Sequence, residues 1–141
     1  MNIPKKIHYS NSTDIPLNIE TLEKMAELTA AELGHPEKEL SLALVSDAEI
    51  QELNRRYRSR NSVTDVLSFP VEEPQVPFLG DIVIDIYQAE RQKGHRSLLE
   101  EIQQLFLHGL LHLYGFDHIA AKDKKDMESL EKRISIKAKE I

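Results

Sequence analysis

Ser97-Leu98-Leu99-Glu100-Glu101-Ile102-Gln103-Gln104-Leu105-Phe106-Leu107-His108-Gly109-Leu110-Leu111-His112-Leu113-Tyr114-Gly115-Phe116-Asp117-His118 is the stretch that decides the fold of this 141-residue chain. Ser97 and Glu100 have the S-x-x-E spacing of a capping box, so a helix begins at about Leu98. From Leu105 to Tyr114 it is apolar almost all round, apart from His108, Gly109 and His112, which is the pattern of a buried helix. Its apolar run is too short, and too rich in histidine, to span a membrane. Gly115 closes the helix, because glycine takes the left-handed conformation that ends many helices.

Three of the six histidines lie at the end of this stretch, in the spacing H-x-x-x-H-x-x-G-x-x-H. Residues four apart on a helix differ by only about 40° in direction and about 6 Å along the axis, so His108 and His112 face one way. A continued helix would turn His118 about 120° away from His112. A turn at Gly115 brings it back, and three imidazoles then occupy three corners of a tetrahedron. That is an open zinc site, with the fourth corner left to water. A single histidine on an apolar helix is usually a core residue. Three around a glycine turn are costly to bury without a shared partner, and a metal supplies one. The spacing also resembles the metzincin proteases, H-E-x-x-H-x-x-G-x-x-H. Their glutamate, the general base, stands where this chain has Gly109. The expectation is a metzincin-like zinc helix without the residue that peptide hydrolysis uses.

The rest of the chain sets the context. Its length suits a single domain, 1–141, with a real core. There are no cysteines, which excludes disulfides, a disulfide-linked partner and thiolate-bound zinc. No signal peptide or membrane span is legible, so the expected location is the cytoplasm. The net charge of −6 counts against nucleic-acid binding through overall charge, so any such binding needs a local basic patch and the metal's own charge.

Further elements follow from periodicity. Ile3–Tyr9 is a weak strand. Leu17–Leu33 carries Leu22, Met25, Ala26 and Leu33 at helical spacing, with Thr29 the one polar member of that stripe. Gly34-His35-Pro36 stops it. Leu40–Val45 is a strand. Ser46-Asp47-Ala48-Glu49 is a second capping box, opening a helix with Ile50, Leu53, Asn54 and Tyr57 on one face. Thr64–Phe69 and Leu79–Ile86 are strands close enough in sequence to pair antiparallel. A short helix near Tyr87–Lys93, the histidine helix, and a C-terminal helix with Met127, Leu130 and Ile134 inward complete the order βαβαββααα. The fold class is mixed α/β (α+β). A small mixed sheet of about four strands is packed with helices, and the central buried helix carries the metal ligands.

Arg55, Arg56, Arg58 and Arg60 are a cationic cluster in an acidic chain. Two readings stay open: complement to a helix C-terminus, or contact with phosphate, whose oxygens guanidinium forks match. Glu101 is about 20° off the face of His108 and could orient a ring, although a first-turn acid at a helix N-terminus is the simpler reading. Asp117 is a turn residue, a ring partner or a proton acceptor.

His108-Gly109-Leu110-Leu111-His112-Leu113-Tyr114-Gly115-Phe116-Asp117-His118 resembles the signature of the bacterial YbeY family of rRNA-maturation endoribonucleases. Leu53-Asn54-Arg55-Arg56-Tyr57-Arg58 is similar to its L-N-x-x-[YF]-R, Thr64–Pro70 to its T-D-V-L-S-F-P, and Leu79-Gly80-Asp81-Ile82 to its L-G-D-I. The likeness runs from about residue 40 to 118. It departs at Asn61, where aspartate is common, and at Val63, where proline is common. The resemblance implies that His108, His112 and His118 bind one zinc ion per chain and that Arg58 is the important arginine of the cluster. It also implies a mixed α/β sandwich and action on small-subunit rRNA, in processing its 3′ end on the ribosome. The expected chemistry is hydrolysis of a phosphodiester in single-stranded RNA. Zinc lowers the pKa of its water to about 7, and Arg58 stabilises charge on the phosphate. Arg55, Arg56 and Arg60 are candidate RNA contacts, and Asp117 and Glu101 are candidates for orientation or proton transfer. One alternative is an RNA-binding ribosome-assembly factor with structural zinc, its fourth ligand drawn from Asp117, His35 or His95. Another is a metallopeptidase that borrows a carboxylate from elsewhere.

Overall fold

The computed structural model describes residues 6–58, 64–71, 73, 75–116 and 121–139, with backbone alone at 58 and 121–124. The elements are β1 (Ile7–Asn11), α1 (Glu20–Leu33), β2 (Glu39–Val45), α2 (Asp47–Arg58), β3 (Val66–Pro70), β4 (Phe78–Asp85), α3 (Ile86–Gln92), α4 (Leu98–Leu113) and α5 (Ala121–Lys139). Their order is the expected βαβαββααα. The first strand begins later than the Ile3 start expected, and α1 begins at Glu20, where Asn18 Oδ1 accepts from the Glu20 N–H at 2.9 Å.

The four strands form one mixed sheet in the order β1-β2-β4-β3. β1 and β4 both pair parallel with β2, and the short β3–β4 connection gives the antiparallel pair. Strand alternation sorts the two faces of the sheet. Leu40, Leu42, Leu44, Ile82 and Ile84 join the main core with α1, α3, α4 and α5. Val45, Leu67 and Val83 point the other way and pack with Ile50 of α2. Tyr57 does not join that cluster: it is 61% exposed and leans edge-on against Phe69, ring centroids 5.6 Å apart. Phe69 lies on β3, an edge strand of the sheet.

α4 is the buried central helix. Ile102, Phe106, Leu107, Leu110 and Leu111 are all fully or almost fully buried. Both bonds of its capping box form: the Glu100 N–H donates to Ser97 Oγ and the Ser97 N–H to Glu100 Oε1, each at 3.1 Å. At its far end the Gly115 N–H donates to the His112 carbonyl and the Phe116 N–H to the Leu111 carbonyl, each at 3.0 Å. Gly115 has φ +99°. These crossed bonds around a left-handed residue are a Schellman closure, and they hold the carbonyl of His112 itself.

Candidate metal centre

His108 and His112 come together as the four-residue spacing requires. Their Nε2 atoms lie 3.2 Å apart, with ring centroids at 4.7 Å and planes at 78°. Two nitrogens each about 2.0–2.1 Å from one tetrahedral zinc would lie roughly 3.3–3.4 Å apart. The observed separation therefore fits two corners of such a site, and neutral imidazole is the donor zinc favours. His118 and Asp117 lie outside the described residues. Among the described residues no three His, Asp or Glu side chains are grouped to hold a metal. His35 stacks on Tyr114 at 5.7 Å, and His95 is exposed on the α3–α4 connection, so neither completes the pair.

The rings have a carboxylate neighbour that the sequence reading did not single out. Glu131 of α5 places Oε1 3.3 Å from His108 Nδ1. Periodicity held the signal: Glu131 follows Met127 by four residues and precedes Ile134 by three, so it shares their inward face. Glu101 does not take this role. It is 4% exposed, it pairs with Arg96, and it accepts from Gln92 Nε2 at 2.6 Å. Seven residues up the helix is about 10 Å along the axis, beyond the reach of a carboxylate to that ring. Asp65, Gln92, Arg96, Gln104, His108 and Glu131 are among the residues lining an open cleft of about 270 Å³, which gives a solute access to the His108 ring.

Gly109 is explained by packing. A Cβ there would meet Ser68 Oγ at 3.0 Å and Ile82 Cγ2 at 3.2 Å. The helix crosses β3 and β4 closely at this point, and Ser68 Oγ donates to the Gly109 carbonyl at 3.3 Å. A glutamate at 109 would therefore be driven into the sheet, away from the rings. The position reads as a close helix–sheet approach as well as a missing base.

The arginine cluster divides. Arg55 Nε donates to Glu52 Oε2 at 3.0 Å, and Arg56 Nη2 reaches Glu52 Oε1 at 3.4 Å. Arg55, first by its hydrogen bond and then by its charge, holds the Glu52 carboxyl below the usual carboxylate range. Both arginines are half-exposed i,i+3 and i,i+4 partners on the surface of α2. Arg58 is the last residue of α2, and its side chain lies outside the described part, as do Arg60, Asn61 and Val63.

Residues 6–139 match the family model described as Endoribonuclease YbeY. A protein named Endoribonuclease YbeY from Vesicomyosocius okutanii is 38% identical over 133 residues, covering 91% of this chain and 92% of that one. Its namesake from Aquifex aeolicus is 45% identical over 78% of this chain and 77% of its own. That from Moorella thermoacetica is 42% identical over 89% and 91%. The solution structure of a Thermotoga maritima protein superposes with a TM-score of 0.69 at 29% identity, covering 94% of this chain and 88% of the other.

Proposed function

This chain belongs to the YbeY family of endoribonucleases, and from that premise we propose that it hydrolyses phosphodiester bonds of single-stranded RNA with zinc held by His108, His112 and His118. The reading is carried by one observation: the two described imidazoles aim Nε2 at Nε2 across 3.2 Å, beside an open cleft. When bound, zinc supplies Lewis acidity, lowering the pKa of a water to about 7 and polarising a phosphate oxygen. The protein's part is to fix the ligands on a rigid helix. α4 is anchored by Ile102, Phe106, Leu110 and Leu111 in the core and closed at both ends by backbone and side-chain caps. Arg58, at the C-terminal end of α2, stabilises the charge that grows on the phosphate, since a guanidinium fork matches its oxygens.

The substrate is small-subunit rRNA, cleaved near its 3′ end during maturation on the ribosome, in the cytoplasm. The acidic chain, net charge −6, leaves local contacts to position the RNA. Among the described residues no helix is long and apolar enough to cross a membrane. The peptidase alternative lacks support at Gly109, which faces the sheet.

The test is cleavage of a single-stranded RNA by the parent, the metal-stripped protein, Arg58→Ala and His112→Ala. Metal removal and His112→Ala are expected to abolish cleavage. Arg58→Ala is expected to lose about 10²–10³-fold in rate while still binding one zinc. His112→Ala also reports contaminating nuclease. Cleavage at the same positions by the metal-stripped protein would overturn the reading.

A further inference from the structure

We propose that Glu131 is a positioning residue for the metal centre. It accepts the Nδ1 hydrogen of His108, so the lone pair of that ring stays on Nε2, on the side facing His112. This rests on the metal reading above and adds a residue from a different helix.

Three observations carry it. The contact is on the correct atom: Glu131 Oε1 lies 3.3 Å from His108 Nδ1, while Nε2 of the same ring lies 3.2 Å from His112 Nε2. Among the described residues the carboxylate has no competing partner. Among the described residues its one hydrogen bond and ion pair is with His108, although the neighbouring Lys132 and Arg133 are on the same helix. It is also held in place: Met127, Leu130 and Ile134, at 2%, 5% and 0% exposure, dock α5 onto the core on both sides of Glu131 along the helix.

The physical consequence concerns the tautomer. A neutral imidazole has one N–H and one acceptor nitrogen, and the hydrogen bond at one nitrogen decides which is which. With Glu131 taking the Nδ1 hydrogen, His108 has Nε2 as its acceptor. The facing His112 can then donate Nε2–H to it before metal arrives. Of the two described rings, His112 is then the one that has to move its proton on metal binding, because His108 is already in the ligating form. Carboxylates in this position orient the ring and raise its basicity, and their loss weakens metal binding about 10–100-fold.

The experiment uses the full chain, stripped with a chelator, in the parent, Glu131→Ala, Glu131→Gln and His112→Ala. Zinc affinity is measured by competition with a chromophoric chelator. The His108 tautomer of the metal-free protein is read from ring ¹⁵N shifts. Glu131→Ala is expected to bind zinc 10–100-fold more weakly and to show a mixed His108 tautomer. Glu131→Gln, whose amide oxygen can still accept from Nδ1, is expected to lie between it and the parent. Metal-free melting midpoints are expected to coincide. Parent-like affinity in Glu131→Ala overturns the proposal, as does a Gln variant as weak as the Ala variant. An affinity loss matched by a fall in the metal-free midpoint also overturns it, since Glu131 would then act only by docking α5. A parent that binds no more zinc than His112→Ala overturns the metal reading beneath it, which separates the two failures.

Discussion

Asp85, Asp47 and Arg91 form one polar cluster of this molecule; His108, His112 and Glu131 form another. The first closes on itself. Arg91 grips Asp47 through both oxygens, at 2.7 and 3.0 Å. Asp85, fully buried, caps α3 by accepting from the Tyr87 and Gln88 N–H groups at 3.0 and 3.2 Å. Its other oxygen, Oδ2, has no N–H or hydroxyl donor among the described residues, and the Asp47 carboxylate is its neighbour. When Asp85 carries a proton, it can donate that proton to Asp47. Burial, and then the bond to Asp47, accordingly push the Asp85 carboxyl up to about 6. The second cluster instead turns two ring nitrogens toward one point beside an open cleft. Perturbed titration marks the first cluster and convergent donors mark the second. The comparison teaches that a shifted carboxyl can be a folding device, whereas a site needs donors that meet where a solute can enter.

The largest expected effect comes from placing a carboxylate at position 109, on the face of α4 that meets the sheet rather than the one that carries the rings. Gly109→Glu should destabilise the fold by at least about 3 kcal/mol, because it overpacks Ser68 and Ile82 and buries a charge. It should also yield no peptidase. Urea unfolding and a casein assay check this, and a stable, proteolytic variant would erase the distinction between the faces of α4.

A middle-sized effect belongs to the carboxyl pair. Asp85 rises from an ordinary 3.8 to about 6 in the fold, so the unfolded chain releases this proton first and stability falls as pH climbs through that window. At about 1.4 kcal/mol per unit the loss is at most roughly 3 kcal/mol. Asp47 works with the opposite sign. The Arg91 hydrogen bond is the main cause that lowers it to about 2, so its contribution is present above 3.8 and is lost as pH falls through about 2. Asp85→Asn keeps the cap and should remove the descending limb. Its melting midpoint should exceed the parent's by several degrees at pH 7.5 and match it near pH 4. A pH-independent difference would mean that no proton is shared there.

The smallest effect sharpens the same contrast at the surface. Arg55→Ala removes an exposed partner of Glu52 and should leave the melting midpoint unmoved in 0.15 M salt, as isolated surface pairs contribute little. A clear drop would show that the arginine cluster has a structural part.

What could be read from the sequence was local. His108 and His112 share a face because four residues nearly complete one turn. Ser97 and Glu100, and Ser46 and Glu49, announce helix starts because their bonds close within three residues. The family signature, too, is a run of adjacent positions. Residues whose role depends on distant partners were harder to read. Tyr57 fits an inward stripe, yet it leans edge-on against Phe69 of edge strand β3 and stays 61% exposed. Glu101 has the right angular direction for His108 but is two turns away, where Arg96 and Gln92 engage it.

The element order, the buried helix, its Gly115 closure and the meeting of two imidazoles are all written in the linear chain. Each follows from the helical repeat, the alternation of strands or a short cap, and none needs a distant partner. The packing of the helices, by contrast, is what brings Glu131, 23 residues beyond His108, to its Nδ1. It also decided that Gly109 is pressed against Ser68 and Ile82, and that Asp85 is buried beside Asp47. These contacts depend on how α4, α5 and the sheet dock. Docking is set by the summed burial of many side chains, which no short window of sequence contains.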